Sequence, residues 1–267
     1  KPVGAYLEDT QKIGYLWYYN VGGTNNSVQK IKFRQVSARG VPEGVAIDLD
    51  VPLSQLDHYG IPSLAAGNNT FLVAWPTRLN SATLAPSEAR QQIRTSLFDA
   101  QGNRLGADRR VELLRQFGSE EPTLSYGPRG YSIAWARSSG IPGGNFFAKL
   151  NDSGEPMGLG HLVSARHNQG FLFDLVETPI GYAAASWRYH EDQTSGPQVS
   201  LGFTLANGQP EEDGDRFVQP GEMPSVTYGA SMLGVASRLY GSRLWFSLLR
   251  LDGTPVVSDS LSLNRDA

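Results

Sequence analysis

Four arginines follow similar apolar stretches along the chain, and their chemistry suits an acidic ligand. They are Arg78, Arg137, Arg188 and Arg238. A guanidinium group presents a fixed fork of donors that matches a carboxylate, sulfate or phosphate. If the apolar stretches are copies of one repeat, rotation from copy to copy brings the four arginines to similar positions around an anion. The alternative is local pairing with loop acids, for which the sequence offers Glu120, Glu121, Glu191 and Glu222.

Aromatic, imidazole and amide side chains accompany these arginines. They are Tyr18, Tyr19, Asn20, His58, Tyr59, Tyr189, His190 and Tyr240. Aromatic faces can stack on sugar rings, and amides can exchange hydrogen bonds with sugar hydroxyls. The alternative is that they cap the ends of strands, because tyrosine and histidine are often half-buried. Their clustering favours a ligand-binding surface.

Asp174 is a candidate acid, base or cation ligand. It occupies a place that Ser63, Thr123 and Ser225 fill in similar segments, so a carboxylate replaces a small hydroxyl. If the protein is an enzyme, Asp174 and Glu177 are the catalytic candidates. The alternative is a hydrogen-bonded structural aspartate that faces water.

No metal, cofactor or nucleophile motif is recognisable in the sequence. The histidines lack the two-turn helical spacing of a zinc site, and the acidic run at 211–215 lacks the order of a calcium loop. The Gly-x-Ser-x-Gly signature of one class of serine hydrolase is also absent. We therefore predict no cofactor and no metal.

These residues sit in an internal repeat. Trp75 follows Pro62 by thirteen residues, Trp135 follows Pro122 by thirteen, and Ser237 follows Pro224 by thirteen. Two further copies are looser: 173–187 is one residue longer and ends at a tryptophan, and 4–17 is the weakest. The tryptophans are interpreted as core residues. Five copies are therefore expected.

Each copy continues into a second signature, an apolar strand followed by a glycine-containing turn. These turns lie at 36–40, 98–102, 150–154, 205–208 and 251–253. Such sequences form the tight turns that join antiparallel strands. The repeat unit is therefore four strands in about 45 to 60 residues, as in a propeller blade. We predict an all-β fold, a five-bladed β-propeller of four-stranded antiparallel blades. It is expected to form one domain over residues 1–267. The approximate blades are 1–55, 56–116, 117–168, 169–219 and 220–267.

The alternating strand directions of a blade bring two sets of loops to one side. These are the loops that precede each first strand and those that join second to third strands, and we call this side the upper face. The second set is long and polar, at 20–27, 77–91, 137–145 and 188–198, with a short version at 238–243. Loops of this kind often carry function. The arginines and aromatic residues above fall on this face.

The repeat resembles those of secreted bacterial β-propeller proteins, in which a proline-led strand, an aromatic strand ending in tryptophan and an Asp-Gly hairpin recur. The resemblance covers nearly the whole chain and implies a scaffold more than an activity. It also implies an extracellular, cell-surface or periplasmic location. Five-bladed glycosidases carry paired carboxylates, but their signatures, such as Asn-Asp-Pro-Asn-Gly, are absent.

Composition narrows the range of partners. Of 267 residues, 23 are lysine or arginine and 26 are aspartate or glutamate, so the chain lacks the basic excess expected for binding nucleic acid. No apolar run is long enough to span a bilayer. The chain has no cysteine, which excludes disulfides, and its start at Lys1 suggests a processed or trimmed end.

Two functions remain. The favoured one is a non-catalytic, lectin-like recognition module of an exported or surface protein, binding a glycan or another protein through the upper face. The alternative is a carboxylate-dependent glycoside hydrolase with its site at the mouth of the central channel.

Overall fold

A computed structural model describes residues 3–21, 28–49, 61–78, 91–111, 119–137, 144–158, 160–164, 171–189, 196–239 and 243–262. Within these ranges the chain forms twenty strands and one short 3-10 turn, Glu8–Thr10. The strands are β1 (Val3–Leu7), β2 (Lys12–Val21), β3 (Val28–Ser37), β4 (Pro42–Leu49), β5 (Ser63–Gly67), β6 (Thr70–Arg78), β7 (Gln91–Asp99), β8 (Arg109–Arg110), β9 (Ser119–Gly127), β10 (Gly130–Arg137), β11 (Gly144–Lys149), β12 (His161–Ser164), β13 (Phe171–Glu177), β14 (Gly181–Tyr189), β15 (Pro197–Leu205), β16 (Pro210–Pro220), β17 (Glu222–Gly229), β18 (Met232–Leu239), β19 (Arg243–Leu249) and β20 (Pro255–Ser262). The described residues contain no helix with the length and hydrophobicity that a membrane crossing requires.

Consecutive strands form five four-stranded antiparallel sheets, numbered here from first (β1–β4) to fifth (β17–β20). This is the five-bladed β-propeller fold, and it confirms the predicted fold class. The fold follows from the repeat, because each copy supplies four short strands that are joined by turns and can bury their faces only in a stack of sheets.

The chain divides into two compact units, residues 1–140 with 148–160 and residues 141–147 with 161–267. The core of the first unit includes Leu16, Phe33, Phe71 and Trp75. The core of the second includes Ala185, Leu201, Phe203 and Val235. The prediction of a single domain over 1–267 stays a prediction.

Strand pairing shows which residues occupy equivalent positions in the repeats. Ala74 pairs with Ser63, Ala134 with Thr123, Ala185 with Asp174, and Ala236 with Ser225. The next residue of the second strand defines what we call the Trp position. It is Trp75, Trp135, Ser186 and Ser237 in the second to fifth sheets, and all four residues are buried. Burial confirms the interpretation of Trp75, Trp135 and Trp187 as core residues, whereas Trp17 of the first copy is only half-buried.

The sequence interpretation of the fourth repeat was therefore shifted by one residue. It placed Trp187 at the Trp position by allowing an extra residue, whereas the pairing places Ser186 there. The register of β13 shifts between Leu172 and Asp174, and the pairings of β9 with β10 and of β17 with β18 shift at the equivalent place, so this β-bulge recurs between repeats and adds no residue to the fourth copy. Ser186 follows Phe173 by thirteen residues, the same spacing as in the other copies.

The fourth sheet ends at Pro220, the last residue of β16. The chain then turns at Gly221, whose φ of +127° lies in a region that other residues rarely adopt. The backbone N–H of Gly221 donates to the carbonyl of Pro197, 2.8 Å away, which closes this end of the fourth sheet.

The glycine turns between third and fourth strands also pack on the preceding sheet. Gly102 faces Gln35, Gly154 faces Leu72, Gly208 faces Phe147, and Gly253 faces Phe203. A Cβ atom on Gly154 would lie 2.7 Å from Cδ1 of Leu72, so the buried leucine side chain would have to shift to admit it. These glycines therefore serve sheet packing as well as the turn conformation that the sequence predicted for them.

Candidate functional site

Many of the predicted ligand-binding residues fall outside the described part of the structure. His58, Tyr59, His190 and Tyr240 lie outside the described residues altogether. For Tyr18, Asn20, Arg78, Arg137, Arg188 and Tyr189 the backbone is described and the side chain lies outside the described part. The predicted binding role of all these residues stays a prediction.

The backbone nevertheless shows how the four arginines are spaced. Arg238 stands one residue beyond the Trp position, Arg137 and Arg188 stand two beyond it, and Arg78 stands three beyond it. All four lie in the last two residues of a second strand, where it reaches the upper-face loop. They thus share a strand end and occupy three different register positions.

Arg238 is the one of these arginines whose side chain is described. Its Nε donates to Oε1 of Glu222, 3.0 Å away, and its NH2 group contacts the same oxygen. The two residues face each other across β17 and β18. The arginine side chain is largely exposed, whereas the glutamate is mostly covered. At this position the structure shows the local pairing that the sequence offered as the alternative to anion binding.

Tyr19 is tied to its own sheet. Its hydroxyl donates to Oδ1 of Asp48 at 2.7 Å, and the ammonium of Lys32 lies 4.6 Å from the centre of its ring. The hydrogen bond to Asp48 raises the pKa of the Tyr19 phenol above its ordinary value of 10.0. The hydroxyl therefore remains a protonated donor at neutral pH, and one face of the ring is already in contact with a cation.

Asp174 joins two neighbouring first strands of the second unit. Its Oδ2 accepts hydrogen bonds from the backbone N–H of Val226 at 2.9 Å and the hydroxyl of Ser225 at 2.8 Å. Its Oδ1 accepts from the backbone N–H of Leu175 at 2.9 Å. Burial raises the pKa of Asp174 above its ordinary value of 3.8, against the lowering effect of these three hydrogen bonds. Both oxygens are thus occupied by donors of the fold.

The same contact occurs in the first unit with a hydroxyl. The Oγ of Ser63 accepts the backbone N–H of Leu124 at 2.9 Å, and Ser63 and Leu124 occupy the places of Asp174 and Val226 in their repeats. The side chain at this place in one first strand therefore holds the backbone of the next first strand. Asp174 performs this task with one more bond, to Ser225.

Asp174 and Glu177 do not form a convergent pair. They are three residues apart in β13, which pairs regularly with β14 over this stretch. Side chains alternate between the faces of a strand, so these two point to opposite faces, about 10 Å apart along the strand. The carboxylates of glycosidases face one another across a single bond. Of the described residues, no three histidine, aspartate or glutamate side chains come together as a metal site.

Sequence reasoning missed a buried polar cluster at Ser237. The amide nitrogen of Gln219 donates to Oγ of Ser237 at 2.6 Å, and that hydroxyl donates to the carbonyl of Pro220 at 3.0 Å. Gln219 is 1% exposed. The replacement of tryptophan by Ser237 was the available signal, but its partner could not be found without the packing of the sheets.

Comparison with known proteins finds neither a matching family model nor a matching curated protein. Solved structures do match. A protein of unknown function from Dyadobacter fermentans has a TM-score of 0.57 at 13% identity, covering 100% of this chain and 83% of that one. An α-L-arabinofuranosidase from Clostridium thermocellum has a TM-score of 0.53 at 9% identity, covering 98% and 95%. TolB from Acinetobacter baumannii has a TM-score of 0.52 at 16% identity, covering 96% of this chain and 53% of TolB.

This likeness shows the fold alone. The similar structures include an enzyme and a protein of unknown function on one scaffold, so function has to be argued from the residues of this chain.

Proposed function

We propose that the chain is a non-catalytic recognition module that binds a glycan or a protein partner through the upper face. The observation that carries the proposal is the engagement of Asp174. Both oxygens of this carboxylate accept hydrogen bonds from the fold, and the equivalent Ser63 makes the same contact without any charge. A carboxylate whose two oxygens both accept hydrogen bonds from the fold holds two strands together. It is therefore a poor candidate for an acid that must exchange protons with a substrate.

The preference for a glycan rests on residue types at the upper face. Tyrosines, an amide and arginines stand at the ends of second strands, where they adjoin the loops between second and third strands. Rings that stack and amides that bond hydroxyls suit a saccharide, and the arginines suit an acidic one. An exported location, at the cell surface or in the periplasm, is part of the same proposal, since such a module would meet glycans there.

A glycoside hydrolase is the second candidate, because a structure of similar fold is an arabinofuranosidase. Asp174 and Glu177 face opposite sides of one strand, so a hydrolase of this chain needs a further carboxylate to work with either of them. If the chain hydrolyses a glycoside and Asp174→Asn leaves that activity intact, Asp174 is not the catalytic acid.

A glycan array probed with the full chain tests the proposal. We expect saturable binding to a subset of glycans, and loss of that binding in Tyr189→Ala and Tyr59→Ala while the circular dichroism spectrum is unchanged. Tyr6→Ala is the matched control. Tyr6 is 52% exposed and lies at the opposite end of its sheet, at the end of β1 that leads away from the upper-face loop.

The array distinguishes the candidates. Binding that survives both upper-face variants, or that falls equally in Tyr6→Ala, would contradict recognition through the upper face. Absence of binding to a broad array would remove the lectin-like version and leave a protein partner. Release of free sugar from any bound glycan would favour the hydrolase.

A further inference from the structure

Three side chains form a row across one face of the second sheet. Trp75 in β6 pairs directly with Arg94 in β7, and Arg94 pairs directly with Arg110 in β8. Directly opposite residues in antiparallel strands place their side chains on the same face, with Cβ atoms about 5 Å apart. The row therefore places a tryptophan and two arginines side by side on one face of the sheet.

Two donors in this row are buried and have no hydrogen-bond partner in the described part of the chain. Trp75 is 0% exposed, and its Nε1 has no hydrogen-bond partner among the described residues. The Nε of Arg94 is also buried and is likewise without a partner within the described ranges. Buried donors are nearly always satisfied in native proteins, because leaving one unmade costs its hydration without return. Two such unsatisfied donors on adjacent residues of the same row indicate a binding site for an acceptor group.

The residues around this row also favour an anion as the ligand. Trp75 belongs to an apolar cluster with Ile31 and Leu49 of the first sheet, so the indole end of the row lies in a medium that screens charge poorly. Arg110 lies directly opposite Arg94, so a second arginine borders the site. Nearby, Arg104 donates to Oγ of Ser96 at 2.8 Å and pairs with Asp108, so this acid is already engaged.

We propose that Trp75 and Arg94, flanked by Arg110, form an oxyanion-binding site. The ligand is a carboxylate, sulfate or phosphate group that accepts from the indole N–H and from the guanidinium of Arg94. A tetrahedral or planar oxyanion has several acceptor oxygens and can satisfy both donors while it neutralises the arginine. This goes beyond glycan or protein recognition, since neither of those functions requires an anion at this place.

The position of the row indicates two sources for the oxyanion. Trp75 is three residues from the end of β6 and Arg94 is three residues from the start of β7, so both stand near the strand ends that carry the upper-face loop. An acidic group of a ligand docked on that face is one source, and this version rests on the proposed function. A free inorganic anion is the other, and it does not.

Thermal unfolding at constant ionic strength tests the site. Sodium sulfate, phosphate and glucuronate are each titrated against sodium chloride, and we expect a saturable rise in Tm with at least one of them, because a ligand that binds only the native state stabilises it. Arg94→Gln should abolish the rise. Arg39→Gln, which removes the same charge from an exposed turn of the first sheet, should retain it.

The indole donor has its own variant. Trp75→Phe keeps an aromatic ring and removes only the N–H, and we expect the apparent Kd for the anion to rise about tenfold, the effect of one hydrogen bond to a charged group. If Arg94→Gln is too unstable to measure, Trp75→Phe and the change in tryptophan fluorescence on titration still decide the matter.

The outcomes separate the possibilities. A rise in Tm that is equal in wild type, Arg94→Gln and Arg39→Gln reflects general salt effects and would overturn the site, as would the absence of any rise. If sulfate or phosphate raises the Tm of a protein that binds nothing on the glycan array, the site takes a free anion. The proposed function then fails without the oxyanion site failing with it. A response to glucuronate alone supports an acidic saccharide.

Discussion

The second and third sheets fill the Trp position with an indole, whereas the fourth and fifth sheets fill it with a serine. Trp75 and Trp135 are 0% and 2% exposed, and Ser186 and Ser237 are 7% and 2% exposed, so all four places are sealed from water. The group that excludes water differs between the two pairs of sheets. At Trp135 it is an aromatic ring packed against Gly160, where a Cβ atom would lie 2.3 Å from the ring. At Ser237 it is a hydrogen-bonded cluster that includes Gln219 and the backbone of Pro220.

The difference shows that a repeat can conserve burial while it changes the chemistry of the buried group. An indole excludes water because its large apolar surface fills the space. A serine at the same place is sealed from water only if a neighbouring side chain fills the space and forms a hydrogen bond with the hydroxyl. Gln219 does both at Ser237, and Gly221 comes so close that a Cβ atom there would lie 2.4 Å from Oγ of Ser237. The polar version is consequently more sensitive to the loss of one partner.

The largest expected effect is at the aromatic version. Trp135→Ser copies the residue of the fifth sheet without copying its partners, and we expect the free energy of unfolding to fall by about 3–5 kcal/mol, as for other large-to-small changes in a core. Chemical denaturation monitored by circular dichroism measures it. A loss below about 1 kcal/mol would mean that the position tolerates a serine without a partner, and the contrast between the sheets would lose its physical basis.

A smaller effect is expected at the polar version. Ser237→Ala leaves the amide nitrogen of Gln219 buried without its nearest acceptor, and we expect a loss of about 1–3 kcal/mol. The double variant with Gln219→Leu removes both polar partners and should recover most of that loss, because no donor is then stranded. Additive losses in a double-mutant cycle would show that the two side chains do not depend on each other.

The smallest effect concerns Asp174, where the second unit uses a charge for a contact that the first unit makes with Ser63. Because burial raises the pKa of Asp174 above 3.8, the native state holds this proton more tightly than the unfolded state does. This contribution to stability is complete below pH 3.8 and is lost as the pH rises through the raised pKa. Asp174→Ser lacks the group, so its stability relative to wild type should improve from acid to neutral pH.

Denaturation of both proteins across that pH range measures the difference. Ser63→Ala serves as the control, since it disturbs the equivalent contact and introduces no titrating group. A relative stability of Asp174→Ser that worsens as the pH rises would show that the hydrogen bonds from Val226, Ser225 and Leu175 outweigh burial.

Much of the fold could be predicted from the chain alone, because its signals are local. The thirteen-residue spacing from Pro62 to Trp75 and the turn at Gly102 depend only on one hairpin each, and both predict antiparallel strands. The fourth repeat was misaligned because Trp187 stands one residue beyond Ser186, and nothing in the sequence indicates that the serine, and not the tryptophan, takes the Trp position.

The candidate site was less predictable, because it depends on which strands lie side by side. Arg94 and Arg110 are sixteen residues apart in sequence, and no spacing rule connects them. They become neighbours only through the pairing of β7 with β8. Asp174 was singled out as a carboxylate in the place of a small hydroxyl, but its hydrogen bonds to Val226 and Ser225 could be found only from the packing of the next first strand.

The sequence by itself determined the period of the repeat, the all-β class and the five-fold count, since these follow from the order of apolar residues, turns and prolines along one chain. Tertiary structure decided what fills each buried place and which polar groups meet there. Trp75 and Ser237 occupy the same step of the same repeat, and only the neighbours that the fold brings to them make one an element of apolar packing and the other a hydrogen-bonded cluster. The physical reason is that strand geometry is set by local backbone preferences, whereas burial of a polar group is stable only when a partner from a distant part of the chain completes it.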